Sequence, residues 1–576
     1  MTQKQSNRKD KILLLLSIVG LLICITVLFP QVRRLIIHSV EQIIQKEFFL
    51  YQSWINTLLS YAIGGICFIL FFDYCTLTNS GRMLIQNVKQ EIKDCLSEID
   101  FRSFRKPVFL LSIVYLLGIL TIIRANFLYM DEISWSVTGH REWYNWSRYI
   151  TIFLSYLVQP EISLTDISPI PQLLAAFILS CSSVLLIYII GNKKITVVRL
   201  LASIPLGLFP YFLESLSYKY VSGYGAFVIL VSFFPFLFIA RKKAFFFCSF
   251  VSLLIVCMIN QITVNIYMMI VLIICFQDWN SRKKPQKEIL YFLGSAAIAF
   301  CSALLVFKFF LMIPRIDSYA ATTMHPFSNI IIGTFNNIKN YALVVNHDLG
   351  LIWKIGIAIV ILFFIIKSIH QSERKKLLSF IATISVIVLS FILSYGLYSL
   401  LATPVYFPRH LCGFSVFLAI LCIIVVSDNK KIASVVVLAL NWCLFVFAFS
   451  YGNALADQAR YAEFRIGILL HDLSVLYPSV SEERMTFQLK NSIDYAPSIE
   501  NVAKNYPVIK RLVPKRLGED TYWDYKYLLY HFNYDSIQMN FEPSLDLSTL
   551  DLPVVLDSYY HTIQSDGSYM LITLKH

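Results

Sequence analysis

The chain has 576 residues, of which 57% are hydrophobic and only 15% charged, with a mean hydropathy of +0.64. A soluble protein carries about 25% charged residues, so this composition excludes an ordinary soluble enzyme and indicates a polytopic membrane protein. The net charge of +13 is uneven, because residues 452–576 hold 11 Lys and Arg against 16 Asp and Glu. The basic surplus therefore lies in short loops between apolar runs, where it sets membrane topology, and we expect no nucleic-acid partner.

Thirteen apolar runs approach the roughly 20 residues that a helix needs to cross the hydrocarbon core of a bilayer. They centre on residues 12–29, 55–77, 107–125, 170–191, 198–214, 222–240, 244–261, 263–277, 289–313, 349–369, 377–402, 411–427 and 432–451. Lys and Arg are concentrated in alternate loops. By the positive-inside rule, this bias predicts a cytoplasmic N-terminus and, with an odd number of spans, an outer C-terminus.

The spans divide the chain into three predicted regions. Residues 1–106 hold two spans and a cytoplasmic loop, residues 107–451 hold the other spans with a long outer loop at 126–169, and residues 452–576 form a polar outer region. Within the long loop, "SRYITIFLSYLVQP" has helical spacing but is too short to span, which predicts a helix lying in the membrane interface. The polar region begins with helical spacing and ends in two β-like runs joined by Asp566-Gly567, a hairpin signal, so we predict a small α+β domain.

Ionisable residues gather where the chain leaves the third span, in "FLYMDEISWSVTGHREWYNWSRYI". Asp131 and Glu132 are adjacent there, and Arg148 follows among three tryptophans. One interpretation is structural: carboxylates favour a helix N-terminus, and tryptophans with an arginine form an interfacial belt. The other is a general base at the membrane surface, assisted by a second carboxylate. The spacing alone leaves both interpretations open.

Three further outer segments carry polar or charged side chains. These are Glu214 and Lys219 in "FPYFLESLSYKYVSGYG", Arg409 and His410 in "YFPRHLCGF", and Asn260, Gln261 and Asn265 in "MINQITVNIY". The first two segments are explained either by a polar turn and snorkelling or by a site for a sugar and a phosphate. For the amides, we expect only that they satisfy backbone groups at a tight turn.

The middles of the predicted spans hold almost no ionisable residue. Such a residue costs about 2.5–3.5 kcal/mol on insertion scales and is retained where ions or protons must cross. A flippase or transporter would usually show some, or broken helices in matched halves. Clustering on one side instead favours chemistry on a lipid-linked substrate, and a non-catalytic scaffold would leave three charged outer loops unexplained.

Five motifs in this order resemble the O-antigen-modifying glucosyltransferases of serotype-converting phages, a GT-C-type family. They are Asp131-Glu132 with the following "NWSRYI", then "ISPIPQLLAAFIL", "FPYFLESLSYKYVSGYGAFVILVSFFPF", "YFPRHLCGF" and "SYGNALADQARYAEFRIGILLHDL". The resemblance covers about residues 107–475. Two departures are the Glu at position 132, where the family usually has Asp, and the two additional spans before the core.

The resemblance implies a fold and an activity. The fold would be an all-α, GT-C-like polytopic membrane protein of about 13 transmembrane helices with a small α+β periplasmic domain. The activity would be inverting transfer of glucose, or a similar hexose, from a polyprenyl-phosphate donor to a hydroxyl of a lipid-linked glycan such as O-antigen. It would take place on the periplasmic face of the bacterial inner membrane, with a flippase and a donor synthase as functional partners. The alternatives are a polysaccharide or lipid flippase and a glycan polymerase.

The implied chemistry assigns roles to these residues. A sugar hydroxyl is a weak nucleophile, so we expect Asp131 to accept its proton, with Glu132 as a helper. The leaving lipid phosphate gains charge, which cations can stabilise. The remaining substrate- or phosphate-binding residues that we expect are Arg148, Glu214, Lys219, Arg409 and His410. The acidic pair would permit a divalent metal, but we expect neither a metal nor another cofactor.

Overall fold

The computed structural model describes residues 79–191, 193–313, 323–426, 431–477, 485–518, 532, 537–539 and 545–575. The first two predicted spans, at 12–29 and 55–77, lie outside these residues. The described part is mostly helical, with a small sheet near the C-terminus.

Seven helices in the described part are long and apolar enough to cross a membrane. They are Phe101–Ala125, Ile170–Ile190, Gln261–Asn280, Gln286–Leu311, Leu351–His370, Lys376–Leu400 and Lys431–Leu476. Three shorter apolar helices are Tyr149–Val158, Ser222–Phe238 and Gly413–Val425. Every apolar run predicted within the described residues coincides with helical structure. A multi-pass membrane protein is therefore confirmed, whereas the count of thirteen spans and the GT-C fold stay predictions.

A bent pair of helices, Val197–Leu208 and Pro210–Ser217, would make an eighth span. The two segments meet at 62°. Proline has no backbone N–H and pushes the preceding residue out of the helical region, and Phe209 is accordingly extended, with φ −69° and ψ 143°. Because of this break, the second segment, which carries Glu214, runs in a different direction from the first.

The remaining helical segments are Lys242–Cys257, which covers most of the span predicted at 244–261, and shorter or more polar segments. The α-helices are Asn79–Ser97, Glu132–Thr138, Lys242–Cys257, Ile330–Asp348, Pro497–Asn505 and Ile509–Leu512, and short 3₁₀ turns include Glu142–Trp146 and Pro408–Leu411. The helix Ile330–Asp348 was not predicted from the sequence. Its apolar residues are interrupted by Asn337 and Asn340, and Ile331 and Phe335 are exposed.

The loop 126–169 is folded. The predicted helix is present as Tyr149–Val158, although its position in a membrane interface stays a prediction. Arg141 is buried and ties the two halves of the loop together. Its guanidinium donates to Ser155 Oγ at 2.9 Å and to the Gln159 carbonyl at 2.8 Å, and it lies 4.0 Å from the centre of the Tyr156 ring. The loop can therefore hold side chains at fixed positions.

The C-terminal region contains a five-stranded sheet. Its strands are β1 (Met485–Lys490), β2 (Ile537–Met539), β3 (Val554–Asp557), β4 (His561–Ser565) and β5 (Tyr569–Leu574), in the order β2-β1-β5-β4-β3. Strand β1 runs parallel to β2 and β5, whereas β4 is antiparallel to β3 and β5. The predicted hairpin turn is confirmed: Gly567 has φ +95°, and the Asp566 carboxylate accepts from the N–H groups of Ser568 and Tyr569.

The C-terminal region is continuous with the helical core at two places. The helix Lys431–Leu476 runs through position 452 without a break, so the predicted domain boundary lies inside a helix. Its last turns pack Ile466, Leu469 and Leu473 against the sheet. Further along, apolar side chains between 496 and 513 join the core of the membrane helices rather than that of the sheet.

Candidate active site

A polar cavity of 190 Å³ lies where the loop 126–169 meets the segments around Tyr218 and Arg409. Its ionisable lining residues are Asp131, Glu142, Arg148, Arg409 and His410. Six aromatic side chains complete much of the wall, namely Trp135, Trp143, Trp146, Tyr218, Tyr224 and Tyr398. The structure thus brings together Asp131, Arg148, Arg409 and His410 from two separate segments, as expected from the sequence for residues of one site.

The backbone before Asp131 turns sharply to present its carboxylate to the cavity. Met130 has φ +42°, the left-handed region that few residues other than glycine adopt. Asp131 then starts the short helix Glu132–Thr138, and its carbonyl accepts from the N–H groups of Ser134 and Trp135 at 3.1 and 3.2 Å. Strained backbone of this kind persists where surrounding contacts over-determine it, and it is often found at functional sites.

Glu132 points away from the cavity. It is completely buried, and its two carboxylate oxygens accept from the backbone N–H groups of Tyr129 at 3.0 Å and Tyr220 at 2.8 Å. Burial raises the pKa of Glu132 to about 8, which outweighs the opposite effects of these two N–H groups and of Lys219. The carboxylate joins the loop to the segment after the broken span, and it does not line the cavity as the predicted helper of Asp131 would.

Glu214 is also completely buried, and it holds Arg409 from behind. Arg409 Nη1 donates to Glu214 Oε1 at 2.7 Å, and the Arg409 backbone N–H donates to the other carboxylate oxygen. The Tyr129 hydroxyl oxygen lies 3.3 Å from Glu214 Oε1. The guanidinium also lies over the Phe407 and Tyr218 rings, at 4.8 and 5.6 Å from their centres. Glu214 therefore orients the cation and is not itself in the cavity lining.

His410 lies beside two arginines. Burial lowers the pKa of His410 well below its usual range, and the charges of Arg409 and Arg148 lower it further. The imidazole is therefore neutral at physiological pH. It can form a hydrogen bond with a substrate, but it cannot supply the positive charge that a phosphate contact would use.

Arg148 reaches the cavity by a backbone turn like the one before Asp131. Ser147 has φ +57°, and its hydroxyl accepts from the Ile313 N–H at 2.8 Å, which anchors the turn. Arg148 then precedes the helix Tyr149–Val158, with its guanidinium 5.8 Å from the centre of the Trp146 ring. The interfacial helix predicted from the sequence thus carries its arginine into the cavity.

Lys219 is buried and bonded within the protein. Its ammonium donates to Asn126 Oδ1 at 2.8 Å and to the Asp166 carboxylate at 2.6 Å. Burial acts to raise the pKa of Asp166, but bonds from Lys219 and Ser168 prevail and hold it below the usual value. Lys219 therefore closes the two ends of the loop 126–169 and does not line the cavity as a predicted phosphate contact would.

Several lining residues were not identified as site residues from the sequence. Glu142 is the second carboxylate at the cavity, ten positions after Glu132. Trp135 and Trp143 are buried, with ring centres 5.2 Å apart, so the interpretation of these tryptophans as an interfacial belt is wrong. Asn260 and Gln261 cap and brace their turn as expected, yet they also line the cavity. Their position after an apolar run was the available signal.

A second, mainly apolar cavity of 270 Å³ adjoins the first. The two share Trp146, Gln261 and Tyr398. Its other lining residues are mostly aliphatic or aromatic and include Leu304 and Phe307 next to the π-helical turn Phe307–Leu311. A cavity with charged lining residues and a mainly apolar cavity are therefore adjacent and share part of their lining.

No group of three or more His, Cys, Asp or Glu side chains converges in the described residues as metal ligands would. The expected independence from a metal stays a prediction.

Comparison with known proteins identifies the family of the chain. The family model described as glucosyl transferase GtrII matches residues 120–426, more than half of the chain. A relative from Salmonella phage P22, an uncharacterized 55.3 kDa protein in the gtrB 5' region, is 26% identical over 127 residues. That match covers 21% of this chain and only about a quarter (26%) of the relative. No solved structure matches the chain. The chain belongs to the glucosyl transferase GtrII family.

Proposed function

We propose that this protein transfers glucose, or a similar hexose, from a polyprenyl-phosphate donor to a hydroxyl of a lipid-linked glycan such as O-antigen. The transfer would invert the anomeric carbon and take place on the periplasmic face of the bacterial inner membrane. The carrying observation is the cavity that holds Asp131 together with the guanidinium groups of Arg148 and Arg409. A carboxylate and two cations are what an acceptor proton and a phosphate leaving group require.

The reaction forms one bond and breaks another at C1 of the donor sugar. The acceptor oxygen attacks C1 while Asp131 takes the proton of that hydroxyl. The bond from C1 to the phosphate oxygen breaks, and its electron pair leaves with the polyprenyl phosphate. Arg148 and Arg409 stabilise the charge that develops on this phosphate, since guanidinium groups remain protonated and match its geometry. The neutral His410 would hydrogen-bond a sugar or phosphate oxygen.

The aromatic wall favours a sugar as the group in the polar cavity. Trp146 and Tyr398, the less buried aromatic lining residues, offer apolar faces that suit the C–H faces of a hexose, while Asn260, Gln261 and Glu142 offer hydrogen bonds to its hydroxyls. Cavities that bind small molecules usually combine apolar walls with a few well-placed polar groups in this way. The lining therefore suits a neutral sugar attached to an anion.

The adjoining apolar cavity favours a lipid-linked donor over a nucleotide sugar. A polyprenyl phosphate joins an anionic head to a long hydrocarbon chain, and the two cavities offer this combination across the shared residues Trp146, Gln261 and Tyr398. Burial of each chain methylene contributes about 0.8 kcal/mol. A nucleotide sugar would place a polar base against the apolar lining of this cavity.

The direct test is transfer by the purified protein in nanodiscs. Radiolabelled polyprenyl-phosphate glucose and UDP-glucose are compared as donors with lipid-linked O-antigen as acceptor, and the product linkage is assigned by NMR. We expect transfer of a single glucose from the polyprenyl donor only, with inverted configuration. Transfer from UDP-glucose, retention of configuration, or growth of the acceptor by repeating units would each contradict the proposal, the last in favour of a polymerase.

A further inference from the structure

The two backbone segments that carry Asp131 and Arg409 have a common neighbour that lies outside the matched family span. This neighbour is the segment 506–517 of the C-terminal region, which we call the C-terminal brace. It contains the short helix Ile509–Leu512 and is buried through Val508, Ile509 and Leu512 in the core of the membrane helices. Its carbonyls and side chains bond to both site segments from the side away from the cavity.

One set of contacts reaches the segment before Asp131. Arg516 is buried, donates to the Leu128 carbonyl, and lies 4.4 Å from the centre of the Phe127 ring. The Tyr129 hydroxyl donates to the Leu512 carbonyl at 2.6 Å. The brace thus fixes the three residues that precede Met130, whose left-handed backbone needs such support.

The other set of contacts reaches the segment before Arg409. Arg511 donates to the Asp348 carboxylate and, with its other terminal nitrogen, to the Tyr406 carbonyl. Asp348 is almost completely buried at the C-terminal end of its helix, where a negative charge is unfavourable, and the Tyr211 hydroxyl also donates to it at 2.9 Å. Arg511 thereby links this carboxylate to the backbone three positions before Arg409.

We infer that Arg511 and Arg516 are positioning residues for glucosyl transfer, each acting through one of the two site segments. Arg516 acts on the placement of Asp131, and Arg511 acts on that of Arg409. The assignment of a base role to Asp131 and a phosphate role to Arg409 rests on the proposed function. Small displacements suffice, because a shift of about 1 Å can lower a rate by about 100-fold.

The chain offers a matched control next to each arginine. Lys510 pairs with Glu500 at 2.8 Å, and Lys515 pairs with Asp494, so both lysines bond within the C-terminal region and are exposed. The variants Lys510→Ala and Lys515→Ala remove a charge from the same segment without touching either site segment. Comparison within each pair therefore separates positioning from a general effect of charge or of the segment.

The experiment measures kcat and donor KM for the full-length protein in nanodiscs, beginning with the wild type on polyprenyl-phosphate glucose. We expect Arg516→Ala to lower kcat by about 10- to 100-fold with little change in donor KM, since the base is displaced. We expect Arg511→Ala to raise donor KM by about 5- to 10-fold with a smaller change in kcat, since the phosphate contact is displaced. Both alanine controls should match the wild type.

Conservative variants keep the test decisive if an alanine variant does not fold. Arg516→Lys keeps a positive charge and a donor nitrogen and should recover kcat in part, whereas Arg511→Lys replaces the two terminal nitrogens that reach Asp348 and Tyr406 by one. Melting temperatures are recorded for every variant. The inference is wrong if the folded variants of Arg511 and Arg516 have the same kinetic constants as the controls Lys510→Ala and Lys515→Ala, or if only their melting temperatures are lower. A wild type that does not use the polyprenyl donor contradicts the proposed function instead, and the same variants are then compared on the donor that it does use.

Discussion

The polar cavity and the buried layer of side chains next to it both contain carboxylates and cations, but the two groups differ in exposure and in bonding. The cavity is lined by Asp131, Arg148 and one face of Arg409. The buried layer consists of Glu132, Glu214 and Lys219, each of which is nearly or fully inaccessible and bonded to other parts of the protein. Asp131 and Glu132 are adjacent in sequence, yet they belong to different layers.

This difference separates catalytic from supporting charges. Burying an ionised group without partners is costly, so a buried carboxylate or ammonium needs bonds within the protein to remain in place. Glu132 holds two backbone N–H groups, Glu214 holds Arg409, and Lys219 closes the loop through Asp166. These bonds leave little capacity for a substrate. The buried layer therefore sets the geometry, and the residues that line the cavity are the ones placed to act on the sugar and the phosphate.

The largest expected effect follows from substituting the adjacent carboxylates one at a time. Asp131→Asn should lower kcat by about 100- to 10,000-fold with a smaller change in melting temperature than Glu132→Gln, because the proton acceptor is lost while the amide keeps the size of the side chain. Glu132→Gln should instead lower the melting temperature, because one amide oxygen cannot accept from both Tyr129 and Tyr220. The measurements are single-turnover transfer and thermal unfolding in detergent. The opposite pattern, an active Asn variant and an inactive but stable Gln variant, would reverse the two roles.

A smaller effect should appear in a double-mutant cycle across the two layers. Glu214→Ala removes the buried partner of the partly exposed Arg409 guanidinium, and the loss of stability should approach the value of about 3–5 kcal/mol that is typical of a broken buried ion pair. Combining it with Arg409→Met removes both charges, so the double variant should melt at a higher temperature than Glu214→Ala alone. It should nevertheless remain inactive, because the phosphate contact is gone. Additive losses in the melting temperature would show that the two residues do not act as a unit.

Much of the fold and part of the site could be predicted from the sequence. Long apolar runs identified the membrane helices, and Asp566-Gly567 identified a hairpin, because both are local signals. One-sided clustering identified Asp131, Arg148, Arg409 and His410, which do meet at one cavity. The local sequence pattern predicts these residues because each of them lies near the end of a segment that hydropathy predicts to be helical.

What could not be predicted depends on side-chain direction and distant partners. The left-handed Met130 sets the direction in which Asp131 and Glu132 enter their helix, and no spacing rule signals such a residue when it is not glycine. The contact of Arg516 with Leu128 joins positions 388 residues apart, so it has no local signal. Glu142 lies in the same stretch as Asp131 and Arg148, but the sequence does not show which of the charged side chains of this stretch line the cavity.

The most modest effect concerns pH and tests whether Glu132 is truly a buried, structural carboxyl. Its pKa is raised to about 8, mainly by burial, whereas in the unfolded chain it titrates near 4.5. Between these values the folded protein holds a proton that the unfolded chain has released, so stability should fall as pH rises, by up to about 1.4 kcal/mol per pH unit. Melting temperatures measured from pH 5 to pH 9 should therefore decline more steeply for the wild type than for Glu132→Gln, and Asp131→Asn should retain the wild-type slope. Equal slopes for the wild type and Glu132→Gln would mean that the Glu132 carboxylate is in contact with solvent. Glu132 would then not belong to the buried layer, and the distinction between it and the adjacent cavity residue Asp131 would fail.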